Sequence, residues 1–198
     1  MGYEMQKDLE YLYSLKKYLW IVVVIFILSL IIGVLVSVKN PELSKNYLNM
    51  FRDSFGWIKT LNPIEIVLLI FLNNAFKSFL ALVLGVGLGV IPLLFVAGNG
   101  IIVGMLAHTI SRQQGTLFVI AALLPHGIIE VPMILISASV GLRLGHKMYP
   151  SLTGLKTDIK KELIEGIGFY IRVVLPLLFV AAVIETFVTP LIALQFST

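Results

Sequence analysis

Four ionisable side chains stand inside long apolar stretches of this sequence, where charge is costly. They are Lys77, His126, Glu130 and Glu185, and Asn73 and Asn74 add polar capacity beside the first of them. His126 and Glu130 are four residues apart, so a helix would place them on one face. At bilayer depth an ionisable group costs roughly 2.5–3.5 kcal/mol on insertion scales unless it is paired or faces water. These six residues form the candidate intramembrane polar site.

Three kinds of chemistry are open to such a site. A buried polar clamp would fix helix register, whereas a proton- or ion-handling site would use the backbone carbonyls freed by Pro125. A divalent metal site would take His126 and Glu130 as two ligands, and zinc needs at least a third. His108 could supply that ligand only if its segment folds back. The spacing is not His-Glu-x-x-His and no Ser–His–Asp set is apparent, so no catalytic residue is assigned and an enzyme is not favoured.

Depth along the helices indicates which of these side chains could pair. At about 1.5 Å per residue, Lys77 and Glu130 lie about 20 and 21 Å below the outer ends of their apolar segments. Glu185 approaches from the inner side and should lie closer to the outer face. We therefore predict that Lys77 pairs with Glu130, directly or through Asn73 or Asn74.

The composition defines the class of protein that must position these residues. Of the 198 residues, 58% are hydrophobic and 13% are charged, and the mean hydropathy is +0.97. Soluble domains are about 45–50% apolar with glycine included and about 25% charged. A soluble enzyme, a nucleic-acid-binding domain and a disordered regulator are therefore excluded. We expect an all-α, polytopic transmembrane bundle, with membrane lipid and not nucleic acid as a partner. Cysteine is absent, so no thiolate can bind a metal.

The apolar segments predict a single membrane domain with about five spans. Its parts are a tail over 1–18, a first span over 19–38, an outer amphipathic segment over 39–63, a core over 64–149, an inner amphipathic loop over 150–166 and a last span over 167–194. The apolar run over 64–97 is too long for one straight crossing of a roughly 30 Å core, so a kinked or broken helix is expected. A turn is predicted at 98–100, after which 101–110 is a short or re-entrant helix.

Basic residues and apolar periodicity predict how the chain sits in the membrane. Nine Lys and Arg residues fall in the N-terminal tail and around the loop before the last span, against five on the other side. This bias places the N-terminus in the cytoplasm and the C-terminus outside the cell membrane. Helical spacing of apolar residues over 43–58 and 155–170 is typical of interfacial amphipathic helices. Packing against the ends of the bundle explains that spacing equally well.

Small residues recur at intervals of four in three places, where backbones can approach closely in lipid. The stripes consist of Ala81, Gly85 and Gly89, of Gly100 and Gly104, and of Ser137, Gly141 and Gly145. Such stripes indicate a tight bundle core or a dimer interface.

The motif around His126 resembles a known family. The run Leu-Pro-His-Gly-Ile-Ile-Glu-Val-Pro at 124–132, followed by Gly-Leu-Arg-Leu-Gly at 141–145, is similar to the hallmark of the stage II sporulation protein M family. So is Phe-Leu-Asn-Asn-Ala at 71–75 with the glycine-rich run to residue 104. The resemblance covers roughly 64–149. It implies importance for Asn73, Asn74, Pro125, His126, Gly127, Glu130, Pro132, Gly141, Arg143 and Gly145.

The resemblance also implies a five-span protein of the cytoplasmic membrane and a role in assembly. The namesake of the family belongs to a membrane complex with peptidoglycan-degrading partners, which it holds together without catalysis. We do not transfer the sporulation role to this chain. The first hypothesis is a non-catalytic scaffold that forms a homo-oligomer, with a dimer favoured, or joins other membrane proteins through its small-residue faces. A transporter, channel or lipid-moving protein is the second hypothesis, and an intramembrane metal-dependent enzyme is the third.

Overall fold

The chain folds into a bundle of long apolar helices, as the composition predicts. The computed structural model describes residues 2–152 and 158–196, and no strand occurs in these two ranges. The α-helices are α1 (Gly2–Ser14), α2 (Lys16–Lys39), α3 (Pro41–Phe55), α4 (Pro63–Val83), α5 (Val90–Gln114), α6 (Thr116–Leu152), α7 (Ile159–Phe169), α8 (Leu175–Phe187) and α9 (Thr189–Leu194). Short 3₁₀ turns at Gly56–Thr60 and Leu84–Val86 and a π-helical turn at Tyr170–Val174 connect some of them.

Five helical segments in the described ranges are long and apolar enough to cross a membrane. They are Lys16–Lys39, Pro63–Val86, Val90–Gln114, Thr116–Leu152 and Ile159–Leu194. The predicted all-α, five-span class is therefore confirmed. An α-helix rises about 1.5 Å per residue. Helix α6, with 37 residues, is about 55 Å long and exceeds the roughly 30 Å hydrocarbon core. It must therefore tilt or extend beyond that core.

The kinked or broken helix expected within 64–97 is confirmed, but the turn predicted at 98–100 does not form. Helix α5 continues through Gly98, Asn99 and Gly100 without a turn, so the short or re-entrant helix predicted over 101–110 is wrong. The chain turns instead at 84–89, where Gly89 adopts a positive φ of 74°. The Asn99 amide donates a 2.8 Å hydrogen bond to the Phe95 carbonyl of its own helix. This bond satisfies the side chain inside the helix and removes the need for a turn.

The three small-residue stripes are used within the chain. A Cβ on Gly100 or Gly104 would overlap the backbone of α2, and a Cβ on Gly85 would overlap the backbone of Gly141. Gly145 meets the turn at Gly89 in the same way. These stripes therefore bring α5 against α2 and α6 against α4. Of the two explanations left open by the sequence, a tight bundle core or a dimer interface, the structure shows the bundle core.

One end of the bundle, the α1 end, holds the charged contacts of the N-terminal helix. Arg143 donates a 2.6 Å hydrogen bond to the Ser14 hydroxyl, and Arg172 donates one of 2.6 Å to Asp8. The opposite end, the α3 end, carries α3, where Arg52 lies 3.5 Å from the Gln113 side chain. Which end faces the cytoplasm stays a prediction from the distribution of basic residues.

The amphipathic stretch before the last span does not form a separate interfacial helix where it is described. Helix α7 continues through the π-helical turn directly into α8, and Phe169 at its end is buried in the bundle core with Leu82 and Leu178. The start of the predicted stretch, including Leu155 and Lys156, lies outside the described residues.

Candidate intramembrane polar site

Two helices bring three ionisable side chains together. His126 and Glu130 lie on α6, one turn apart, between Pro125 and Pro132, while Glu185 lies on α8. One potential ligand atom from each of the three lies within 4.8 Å of the other two. All three side chains are half-buried. The cluster is therefore a mixed imidazole and carboxylate site at the packed contact between α6 and α8.

His126 is oriented by a residue near the C-terminal end of the last span. Its Nδ1 atom lies 3.3 Å from the Oγ1 atom of Thr189, which is only 7% exposed. When Nδ1 carries the proton and donates to this hydroxyl, Nε2 keeps its lone pair. Thr189 can therefore hold the ring in the tautomer that accepts a proton or a metal ion at Nε2.

Glu130 contributes a buried oxygen without a partner. Its Oε2 atom is enclosed and has no hydrogen-bond partner among the described residues. A buried polar atom of this kind costs about 1–3 kcal/mol, and more when it is charged. Native structures leave few such atoms unsatisfied, so each one calls for a proton, an ion or a water.

Lys77 does not form the predicted direct ion pair. Within the described residues no contact of 4.0 Å or less joins it to Glu130, although it is close enough to interact with that carboxylate electrostatically. Lys77 and Asn73 are exposed on α4, and the Asn73 amide donates a 3.2 Å hydrogen bond to Asn74 instead. Lys77 is therefore near Glu130, but the helical rotation of α4 leaves its side chain exposed.

The sequence placed Glu185 closer to the outer face than Lys77 and Glu130 and did not pair it with them, whereas the structure brings it to His126 and Glu130. Its depth relative to the two membrane faces stays a prediction. Sequence reasoning also missed Thr189. Its position four residues after Glu185 was the available signal, because this spacing puts both on one side of a helical segment.

His108 does not reach the cluster, so its proposed role as a third ligand beside His126 is wrong. It lies on α5, where its Nδ1 atom is 3.0 Å from the Ser37 hydroxyl on α2. A separate cavity of about 590 Å³ at the α3 end includes both residues. The segment that carries His108 is part of a full-length span and does not fold back.

Arg143, the basic residue of the motif, joins three elements at the α1 end. Its Nε atom lies 2.9 Å from Glu162 on α7, both side chains are only 13% exposed, and Lys147 binds the same carboxylate. The guanidinium also lies 5.1 Å from the ring centre of Tyr11 on α1. Burial raises the pKa of the Tyr11 phenol to about 12, and the nearby Arg143 charge offsets part of that increase. This residue is therefore a structural junction, remote from the His126 cluster.

These features define a polytopic helical membrane protein with a polar cluster enclosed by its last two spans. The family model of stage II sporulation protein M matches residues 22–190, so the chain belongs to that family. Two uncharacterized proteins of Methanocaldococcus jannaschii are similar to it. One is 32% identical over 161 residues, covering 79% of this chain and 82% of the relative. The other is 28% identical over 177 residues, covering 85% and 76%. No solved structure matches the chain significantly.

Proposed function

We propose that this protein is a non-catalytic component of a membrane assembly and that it associates with a second copy of itself through α4. The observation that supports this proposal is the outward position of Asn73, which is exposed on a helix long and apolar enough to span the membrane. A polar side chain facing acyl chains at this depth costs several kcal/mol, so a partner that covers it would stabilise the bilayer-embedded state.

A second copy suits this surface because an amide is both donor and acceptor. In a twofold dimer the same patch meets itself, so Asn73 of one copy could donate to Asn73 of the other and accept in return. Hydrogen bonds of this type between membrane helices contribute about 0.6–2 kcal/mol. Leu72 and Phe76 are exposed beside the amide and would supply packing area. The small-residue stripes are not available for this contact, because the chain already uses them internally.

The test is the oligomeric state in lipid. Asn73→Leu removes both hydrogen bonds of the reciprocal pair, so it should weaken dimerisation by at least about 8-fold, which corresponds to about 0.6 kcal/mol or more for each bond. Energy transfer between labelled chains, measured over a series of protein-to-lipid ratios, gives the dissociation constant. The matched control is Asn99→Leu, since Asn99 also lies inside a span but bonds to its own helix. A chain that stays monomeric at every ratio, or an equal effect of both variants, contradicts the proposal.

Ion handling is the second candidate function, and the partnerless oxygen of Glu130 favours it. A transport site would need alternating access from both sides of the membrane. Flux of protons or divalent cations into liposomes, compared between the wild type and Glu130→Gln, separates the two functions. Loss of flux with unchanged thermal stability supports transport, whereas reduced stability without any flux supports an assembly component.

A further inference from the structure

We propose that His126, Glu130 and Glu185 bind one divalent transition-metal ion that links α6 to α8. This inference rests on the geometry of the cluster and is independent of the proposed dimer. It concerns what occupies the space between the two helices, whereas the dimer concerns the outer surface of α4.

The first argument is the distance between the potential ligands. In a tetrahedral site, metal–ligand bonds of about 2.0–2.2 Å hold the ligand atoms about 3.3–3.6 Å apart. The three atoms of this cluster already lie within 4.8 Å of one another. To bind one ion, the ligand atoms must move about 1 Å closer together, a distance that side-chain rotation of the two glutamates can supply.

The second argument is the charge of the cluster. Two ionised carboxylates enclosed by apolar helices repel each other and lose their hydration. No described cation forms an ion pair with either of them. A dication neutralises both carboxylates at once and gives the Oε2 atom of Glu130 the partner that no described residue supplies.

The third argument is the support behind the imidazole. Histidine ligands usually donate their second ring nitrogen to a fixed acceptor, which sets the tautomer and the ring orientation. Thr189, buried and 3.3 Å from Nδ1, is placed to accept that hydrogen bond. The ring nitrogen left for the metal is then Nε2.

The ligand types restrict the identity of the ion. One imidazole with two carboxylates suits Zn²⁺, Mn²⁺ or Fe²⁺, whereas Mg²⁺ and Ca²⁺ prefer oxygen ligands alone. The absence of cysteine from the chain excludes thiolate-dependent Cu⁺ binding. Because the ligands come from both α6 and α8, the bound ion would fix the last two spans relative to each other.

The experiment is a direct metal titration of the whole chain. Protein purified without a histidine tag, stripped with chelator and placed in nanodiscs, is titrated separately with Zn²⁺ and Mn²⁺. Elemental analysis after gel filtration should find about one equivalent per chain. Glu185→Gln and His126→Gln should each weaken binding at least about tenfold, while the matched controls Glu165→Gln and His108→Gln should leave it unchanged.

A second measurement keeps the test decisive if a variant fails to fold. Co²⁺ bound to the wild-type chain should give a d–d absorption band that Zn²⁺ displaces, and either metal should raise the unfolding temperature. Metal bound equally by the wild type and by folded Glu185→Gln protein overturns the proposal. A wild-type chain that binds neither ion also overturns it, and the two carboxyl groups would then be held by protons. Neither result bears on dimerisation, which Asn73→Leu tests separately.

Discussion

At the scale of single residues, two of the three α6 glycines that belong to the family motif have opposite surroundings. A Cβ on Gly141 would overlap the carbonyl oxygen of Ala81, because α6 and α4 touch there through their backbones. A Cβ on Gly127, next to His126, would meet nothing within 4 Å. Packing within the chain therefore explains the first glycine and leaves the second without an internal reason.

This contrast gives a matched pair of substitutions. Gly141→Ala should lower the free energy of unfolding by about 1–3 kcal/mol, the usual cost of overpacking. Gly127→Ala should leave it unchanged or raise it by up to about 1 kcal/mol, since alanine favours the helix. Thermal unfolding in detergent, followed by circular dichroism, measures both. Equal destabilisation by the two changes would contradict the packing seen at Gly141.

Arg143 offers a second prediction at this scale. Arg143→Lys keeps the charge but removes the planar guanidinium group, which contacts Glu162 and Ser14 at the same time. We therefore expect the free energy of unfolding to fall by about 1–2 kcal/mol. Arg52→Lys is the control, because Arg52 makes one long, exposed contact with Gln113 and the expected change is within about 0.5 kcal/mol. Chemical unfolding in mixed micelles gives both free-energy changes. Similar losses for the two variants would show that the guanidinium geometry of Arg143 does not contribute to stability.

The sequence predicted only part of the polar site, for a physical reason. Spacing within one helix is local, so the separation of four residues was enough to predict that His126 and Glu130 share a face. The convergence of Glu185 and the outward turn of Lys77 depend on how separate helices rotate about their axes. Hydropathy gives the depth of a residue but carries little information on that rotation.

At the scale of the elements, the sequence predicted two interruptions of the long apolar region, a kink or break within 64–97 and a turn at 98–100. Only the first forms, at 84–89. The second contains two glycines but satisfies its polar side chain inside the helix. The first holds Leu88 and Gly89 at positive φ, a conformation that no continuous helix allows. Backbone conformation, more than glycine content, therefore distinguishes the real break.

The turn can be tested through two of its three glycines. Gly89→Ala should cost at least about 1–2 kcal/mol, because alanine at φ 74° is strained and its Cβ would press on Leu142. Gly87→Ala is the control, since a Cβ there makes only ordinary contacts at 3.4 Å or more. The unfolding temperatures of both variants provide the comparison, and an equal shift would place the break elsewhere.

At the scale of the whole molecule, side-chain contacts group the connecting segments into two ends. Asp8, Ser14, Arg143 and Arg172 meet at the α1 end, whereas Arg52 and Gln113 meet at the α3 end. The grouping agrees with the two sides inferred from basic residues. Five crossings then separate α1 from α9 across the membrane, while the direction of insertion depends on charge alone.

The direction of insertion is open to a clean experiment because the chain has no cysteine. Asn49→Cys on α3 and Lys160→Cys on α7 place single thiols at exposed positions on opposite ends. If the α1 end with its excess of basic residues faces the cytoplasm, an impermeant maleimide should label Asn49→Cys in intact cells. Lys160→Cys should react only after permeabilisation, and the wild type should never react. The reverse pattern would mean that the anionic inner leaflet does not orient this chain. Labelling of both thiols in intact cells would contradict the three crossings between α3 and α7.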